Sequence, residues 1–349
     1  MMKQTICQPK CDDKIILDIT MGMYAYPTVL VAHRLGIFKY ISEESKTLKE
    51  ICNRFTLAAR PADAILSVIR ALGLIEYTEK GYSLTRVSKE YLLEERLSEI
   101  NPNYFGYFWD LMYENSENFS LTNLRAAITN NQPQVYNQDE LFTSHLQQPE
   151  KAKLFTDAMH ALSMGAASIW PDKLKLSTYN TMLDIGRGSG AHTLGVVTRW
   201  PHIHGIIYDF SEICELASKF VKDYDLEKKI TTRSGNMWDE NASFPEADIH
   251  FYSNIFHDWP EEKNKFLAKK SFKDLSPGGM IILHELLYHD DGSGPLAAAA
   301  YSVIMLGWTE GKQYSGAEIT RLLGDVGFRE IKITPALGYY SVITGIKPK

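Results

Sequence analysis

His257, in NIFHDWPEEK, is the side chain in this chain best placed to move a proton, and it follows a strand-like run, ADIHFYS. An imidazole with an ordinary pKa near 6.5 is a usable proton acceptor at neutral pH, as a base acting on a hydroxyl must be. Glu285, in ILHELL, ends another such run and suits the task of orienting that ring and stabilising its cation. A second group of residues concerns a ligand. In LDIGRGSGAHTLG, residues 183–195, Gly186, Gly188 and Gly190 stand between an acid, Asp184, and the start of a helix. Glycines there let the backbone take positive φ and approach a ligand closely, and the helix start beyond offers free N–H groups. The string reads two ways. As Gly186-x-Gly188-x-x-Ala191 it satisfies the dinucleotide fingerprint; as Asp184-x-Gly186-x-Gly188-x-Gly190 it is the acid-led loop associated with S-adenosylmethionine (AdoMet).

Further positions suit either ligand. Asp209 ends GIIYDF, 25 residues beyond Asp184, where a carboxylate accepts hydrogen bonds from both hydroxyls of a ribose. In SGNMWDE, Asn236 can bond an adenine edge while Met237 and Trp238 offer soft or flat apolar faces; the same residues also suit a core.

These residues need a frame that gathers them. From 181 onward short apolar runs (TMLDIG, HGIIYDF, KITTRSG, ADIHFYSNIF, GGMIILHELL) alternate with helical stretches such as SEICELASKFVKD and EEKNKFLAKKSFKDL. That alternation predicts an α/β fold, a parallel sheet with helices on both faces, which binds ligands where strand order reverses at the carboxyl ends. EIKITPALGYYSVITGIK reads as two adjacent strands, an antiparallel hairpin closing the sheet. Upstream, the apolar density from Ile15 to Ile37 predicts a largely buried helix that Pro27 kinks or divides. SKTLKEICNRF and RPADAILSVIRALGL follow with helical spacing, then LIEYTEKGYSLTRVSKEYL as two short strands joined through Lys80-Gly81. This is a winged-helix pattern, with aliphatic residues where a DNA-reading helix exposes Lys and Arg. Residues 90–175 read as helices rich in aromatics and Met, interrupted near NNQPQVYN. The expected division is 1–98, 99–175 and 176–349.

The totals agree with a small-molecule partner. The 349 residues suit about two domains, and 37 Lys and Arg against 43 Asp and Glu, without a long basic run, argue against nucleic acid or an anionic membrane. The start MMKQTICQPKCDDK lacks a signal-peptide core, and no uncharged apolar run of about 18 residues is found, so the expectation is a cytoplasmic protein without a membrane span. Cys7, Cys11, Cys52 and Cys214 are too scattered for a disulfide framework, and Cys7 with Cys11 lacks the second pair of a zinc site.

With these residues in view, the chain resembles the class I AdoMet-dependent small-molecule O-methyltransferases, the group of plant caffeate and flavonoid enzymes and bacterial polyketide-tailoring enzymes. The resemblance runs over nearly the whole length, and HDW together with the acid-led loop carries it, displacing the nicotinamide parse. It implies a Rossmann-like AdoMet methyltransferase sheet preceded by an all-helical, winged-helix dimerisation domain, a homodimer, and metal-independent methylation of a phenolic or enolic hydroxyl on a small aromatic or polyketide-like acceptor. It further implies that Gly186, Gly188 and Gly190 line the aminoacyl side of AdoMet, that Asp209 holds the ribose, that Asn236 and Met237 flank adenine, and that His257 is the base. Asp184, Arg187 and Trp238 complete the expected cofactor site, and Asp258 and Trp259 are expected to support the turn.

Two positions depart from the family pattern. Members often carry a second glutamate in the segment matching TEGKQYSGAEI, where this chain has Gln313, with Glu310 nearby; a glutamine orients an imidazole without neutralising it. Arg187 stands where related loops carry glycine or another small residue, and clamping the methionyl carboxylate, pointing to solvent and obstructing the cofactor are all open to it. His284, Glu285, His289, Asp290 and Asp291 could be metal ligands, but the acids of metal-dependent relatives converge from several strands, so no metal is expected. Phe108, Trp109, Met112, Met159, Met164, Met305 and Trp308 are candidates for an apolar acceptor pocket. The rival readings are an AdoMet-binding relative doing C-methylation, hydroxylation or a pericyclic reaction, and a non-catalytic dimer in which Arg187 impairs AdoMet binding.

Overall fold

Helix α1 (Lys14–Leu35) runs through Pro27 without dividing and stops at Gly36, whose φ of 79° lets its N–H donate back to the Ala32 and His33 carbonyls. The computed structural model describes residues 7–96, 99–135, 148–186 and 188–349. Arg187 therefore lies outside the described residues. The chain falls into two units, Met1–Asp110 and Leu111–Lys349.

In the first unit α1 buries Val29, Leu30 and Ala32, yet Ile15, Ile16, Leu17, Ile19, Met21, Met23 and Tyr24 are each more than half exposed. The expected largely buried helix is thus buried, within one chain, only toward its carboxyl end. With 22 residues and an 18-residue stretch of mean hydropathy 1.5, it is also the one helix among the described residues that is, by length and composition alone, long and apolar enough to cross a membrane. Asp18 alone interrupts the uncharged run from Ile15 to Ala32, and one charge barely lowers the mean. After it come α2 (Ile37–Glu43), α3 (Leu48–Phe55), α4 (Ala59–Ala71), the antiparallel pair β1 (Ile75–Thr78) and β2 (Gly81–Leu84), α5 (Arg86–Tyr91), and the short strands β3 (Glu95–Arg96) and β4 (Glu99–Ile100). Thr47 and Glu50 form a reciprocal capping box that starts α3. Phe38, Ile41, Ile51, Leu66, Ile69 and Leu84 make the core of this unit. Residues 99–110, expected to begin a separate region, belong to it as well: Asn101 Nδ2 donates to the Glu90 and Leu93 carbonyls.

Helix α6 (Gly106–Glu114) is followed in the second unit by α7 (Leu121–Asn130) and α8 (Pro149–Ala167). The sheet strands are β5 (Thr181–Ile185), β6 (His204–Asp209), β7 (Ile230–Ser234), β8 (Ile249–Ser253), β9 (Met280–Leu286), β10 (Arg329–Pro335) and β11 (Tyr340–Ile346). Between them run α9 (Ala191–Arg199), α10 (Ser211–Asp223), α11 (Glu261–Asp274), α12 (Leu296–Trp308) and α13 (Gly316–Val326). Their order is β10-β11-β9-β8-β5-β6-β7, parallel from β9 through β7, with β11 antiparallel to β9 and to β10. The parallel sheet and its closing hairpin are those expected. After β7 the chain returns to the far side of β5, so the carboxyl ends of β5 and β8 flank the crevice. Every residue of β8 is buried, the mark of a strand covered on both faces. Tyr252, Leu283 and Ile343 pack on one side with Leu267 and Leu322; Phe251, Ile282 and Val342 pack on the other with Trp170.

Candidate active site

The glycine loop joins β5 to α9. Gly186, Gly188 and Gly190 have φ of 71°, 54° and 69°, a region that residues with a Cβ seldom adopt. Space matters as well: a Cβ on Gly186 would lie 3.1 Å from Ile255 Cδ1 and 3.3 Å from Met237 Sδ, and one on Gly190 would lie 2.2 Å from Ile207 Cδ1. Asp184 is wholly buried, and Thr193 in the first turn of α9 donates to its Oδ2 at 2.7 Å. It fastens the loop to the helix from beneath. Ser189, nearly buried, has its Oγ 2.9 Å from Nδ1 of His160 on α8.

Asp209, at the end of β6, faces the same loop. The Gly188 N–H donates to its Oδ2 at 2.9 Å, and the Phe210 N–H to its Oδ1 at 2.8 Å. After β7, the exposed Asn236 accepts the Trp238 N–H through Oδ1. Met237 Sδ reaches the Gly186 corner, while Trp238 turns to the rings of Trp259 and Phe266 at 4.8 and 6.0 Å. This segment is held by Lys270 of α11, whose Nζ donates to the Met237 and Asp239 carbonyls at 3.2 and 2.6 Å. Burial lowers the Lys270 pKa, a shift that nearby Asp274 and Asp239 oppose.

His257 sits, 3% exposed, in a single 3-10 turn, Phe256–Asp258, just past β8. The sequence dictates this turn locally. Asn254 has φ 49°, which Asn tolerates better than most residues, and Trp259 is extended because Pro260 follows it. Glu261 and Glu262 then open α11, where acids favour the helix start. Glu285 of β9 supports the turn from below: its Oε1 accepts the Ile255 and Phe256 N–H groups at 3.1 and 3.0 Å, and its Oε2 lies 3.6 Å from His257 Nδ1. Gln313 Nε2 stands 2.9 Å from the same Nδ1, Asp258 Oδ1 is 3.5 Å from Nε2, and the Tyr301 ring meets the imidazole edge-on at 5.2 Å.

Against this geometry, the family model described as O-methyltransferase domain matches residues 121–329, more than half of the chain. The chain belongs to the class I AdoMet-dependent O-methyltransferases. It is 27% identical over 337 residues to the 3-hydroxy-5-methyl-1-naphthoate 3-O-methyltransferase of Streptomyces sahachiroi, covering 95% of each chain. Over 356 residues it is 27% identical to the acetylserotonin O-methyltransferase of Gallus gallus, covering 96% of this chain and 97% of that one. Its fold matches the crystal structure of human N-acetylserotonin methyltransferase in complex with SAM at a TM-score of 0.83, with 22% identity and coverage of 98% and 100%.

In this methyltransferase the predicted pocket residues do not form one group. Tyr301, Met305 and Trp308 occupy positions i, i+4 and i+7 of α12 and so share one face, whose first member touches His257. Trp308 lies 6.1 Å from Phe119 and 5.9 Å from Phe155, and Met159 is one turn beyond Phe155 on α8. Met112 and Met164 are buried in the same unit. Trp109 instead packs against His33, Phe38 and Phe105 in the core of the first unit, and Phe108 stacks near Phe105. Aromatic residues at helical spacing serve a core as readily as a pocket, and Trp109 serves the core. The residues of HELLYHDDG also diverge: Glu285 faces His257, His284 bonds Ser253, His289 meets Ser293, and Asp290 accepts the Ala317 N–H. Among the described residues no three His, Cys, Asp or Glu side chains group as metal ligands.

Two residues that shape the base turn escaped the sequence reading. Asn264, fully buried on α11, donates through Nδ2 to the Phe256 and Trp259 carbonyls at 2.7 and 3.0 Å. A Cβ on Gly311 would lie 2.2 Å from the His257 carbonyl oxygen, so that segment lies flush against the turn. A polar residue in the first turn of the helix, seven after the histidine, was the available signal for Asn264; Gly311 gave none.

Proposed function

We propose that this methyltransferase uses AdoMet to methylate a phenolic or enolic hydroxyl of a small aromatic or polyketide-like natural product, with His257 as general base. The observation that carries the reading is the convergence of Glu285 and Gln313 on Nδ1 of one buried imidazole at the mouth of the glycine loop. Two features support the cofactor: three positive-φ glycines bring the loop backbone close against Ile255, Met237 and Ile207 where a Cβ would be crowded, and Asp209 brings a carboxylate to that loop, as a ribose needs. Gly186, Gly188, Gly190, Asp209, Asn236 and Met237 would hold AdoMet, with Asp184 anchoring the loop and Trp238 backing Met237. Bound there, AdoMet supplies a methyl group made electrophilic by its sulfonium.

The rest falls to the chain. Transfer requires an acceptor oxygen held in line and relieved of its proton. A base acting through Nε2 needs Nδ1 protonated, and that tautomer needs an acceptor on Nδ1. Glu285 Oε2 supplies one, and the Gln313 amide, turned to present Oε1, supplies another. As Nε2 takes the proton the ring becomes a cation beside the Glu285 carboxylate. Tyr301, Met305, Trp308 and Met159 support a flat, largely apolar acceptor. Asn264 and Gly311 act through the turn and are positioning residues.

The exposed apolar residues of α1 support a homodimer that covers them, with residues 1–110 as the dimerisation and winged-helix-like unit. The free thiols of Cys7, Cys11, Cys52 and Cys214 accord with a cytoplasmic location. Light scattering on the purified chain is expected to give twice the monomer mass. A monomer that floats with lipid vesicles would instead assign α1 to a membrane.

Calorimetric titration with AdoMet, followed by S-adenosylhomocysteine release in the presence of phenolic acceptors, tests the main reading. Binding and acceptor-dependent release are expected. Absence of binding in the native chain with recovery in Arg187→Gly would overturn it in favour of a non-catalytic dimer, and release without O-methylated product would favour other AdoMet chemistry.

A further inference from the structure

Beneath the site, four buried side chains from four elements meet in series. Trp170 Nε1 donates to His192 Nδ1 at 2.9 Å; His192 Nε2 lies 3.0 Å from Ser253 Oγ; and Ser253 Oγ lies 3.0 Å from His284 Nδ1. Trp170, His192 and Ser253 are 0% exposed and His284 is 2% exposed. We propose that these residues form a directional hydrogen-bond relay that fixes both histidines as the Nε2–H tautomer and locks the cofactor loop, the base turn and the Glu285 strand to one another.

The direction follows from what each group can do. An indole N–H only donates, so His192 Nδ1 must present its lone pair and the ring proton sits on Nε2. That proton goes to Ser253 Oγ. The serine hydroxyl is sealed from water, so its own hydrogen needs an acceptor, and His284 Nδ1 is in reach. Protonating His192 would set an N–H against the indole N–H, which keeps the ring neutral. The titratable groups around the pair agree: the two imidazoles are 4.6 Å apart, Tyr340 stacks on His284 at 4.6 Å, Asp184 is engaged by Thr193, and Glu285 turns to His257.

The placement of the relay gives it a purpose. His192 follows Gly190 by two residues, Ser253 precedes His257 by four, and His284 precedes Glu285 by one. Ser253 and His284 are register partners in the β8–β9 ladder, so the sheet itself aligns them. At the far end, Trp170 is clamped by stacking on Phe251, 5.1 Å apart and 8° from parallel. The relay members are positioning residues, and this consequence for turnover rests on the proposed methyltransferase site, whereas the tautomers do not.

Long-range 1H–15N correlation spectra of the full-length protein with 15N-labelled histidine test it, with resonances assigned through His192→Asn and His284→Asn. Both rings are expected to show protonated Nε2 and unprotonated Nδ1 from about pH 6 to pH 8. A protonated Nδ1 or an imidazolium at either position in the native protein would overturn the relay, whether or not AdoMet is the cofactor. Ser253→Ala, which removes one oxygen, is expected to release the His284 tautomer and lower kcat/KM for AdoMet about tenfold, the scale set by leaving a buried donor unpaired. Unchanged tautomers and kinetics within twofold would reduce the four residues to packing.

Discussion

Replacing Glu285 by glutamine separates the two tasks that residue combines. The amide carbonyl can still accept the Ile255 and Phe256 N–H groups now bound by Oε1, so the turn is expected to keep its shape. What disappears is the negative charge 3.6 Å from His257 Nδ1, and with it the acceptor there, since the amide NH2 that replaces Oε2 can only donate. At an effective dielectric of about 20, a unit pair at that separation is worth about 4–5 kcal/mol. In the transition state the proton is only part-way to the ring, and about half of that, roughly 2–3 kcal/mol, is forfeited. That corresponds to a fall in kcat of roughly 30- to 160-fold. Initial rates of S-adenosylhomocysteine formation at saturating acceptor measure it, with AdoMet affinity expected within about twofold and thermal stability nearly unchanged. A fall of less than threefold would refute the idea that Glu285 stabilises the imidazolium. An equal loss in stability and affinity would show that its backbone contacts are its whole role.

Gly311→Ala forces a methyl group to within 2.2 Å of the His257 carbonyl oxygen and 2.4 Å of the Trp259 nitrogen, so the base must move; a loss in kcat of about a hundredfold with AdoMet binding retained is expected, and wild-type kcat would contradict the packing described. Asn264→Ala removes one donor from each of two carbonyls, leaving the Trp259 carbonyl to the Tyr314 hydroxyl and the Phe256 carbonyl to the long Trp259 N–H contact, and urea unfolding should register a loss of about 1–3 kcal/mol. His250 is buried, and desolvation, aided by the Lys347 charge, pushes its pKa down to about 3. The unfolded chain gains this proton near pH 6.5 while the folded chain refuses it, so the stability is fully present above pH 6.5 and drains as pH falls toward 3. Between pH 8 and pH 5 the loss from this group is about 2 kcal/mol. His250→Asn, which keeps a polar atom toward Ser271, is expected to lose about 2 kcal/mol less over the same interval in urea titrations; equal losses in the two proteins would refute the assignment.

Local sequence carried those parts of the site that local geometry makes. Three glycines at alternate positions are needed because each takes positive φ, and HDWPEE spells out a turn, an extended residue and a helix start within six residues. Contacts made across the fold were illegible. Asn264, Gly311 and Lys270 act on loops that precede or follow them by as many as 54 residues, and nothing in their own neighbourhoods announces the partner. The relay is a sharper case: Trp170, His192, Ser253 and His284 look like unrelated core residues until strand register sets Ser253 beside His284. Hydrophobicity alone does not say what covers it. The apolar residues of α1 are exposed in the single chain, and Trp109, read as a pocket wall, fills the core of the first unit. The glycine loop itself became interpretable only with the base turn, since its spacing alone admits two cofactors.

The central claim is that His257 takes the acceptor's proton during methyl transfer. Supplying AdoMet with an isotope-labelled methyl group to the native enzyme and to His257→Ala, with a phenolic acceptor, tests it most directly. The account predicts label on the acceptor oxygen with the native enzyme, and in the variant AdoMet binding within about twofold but transfer reduced by roughly 10²- to 10⁴-fold. Transfer by the variant at close to the native rate would contradict it.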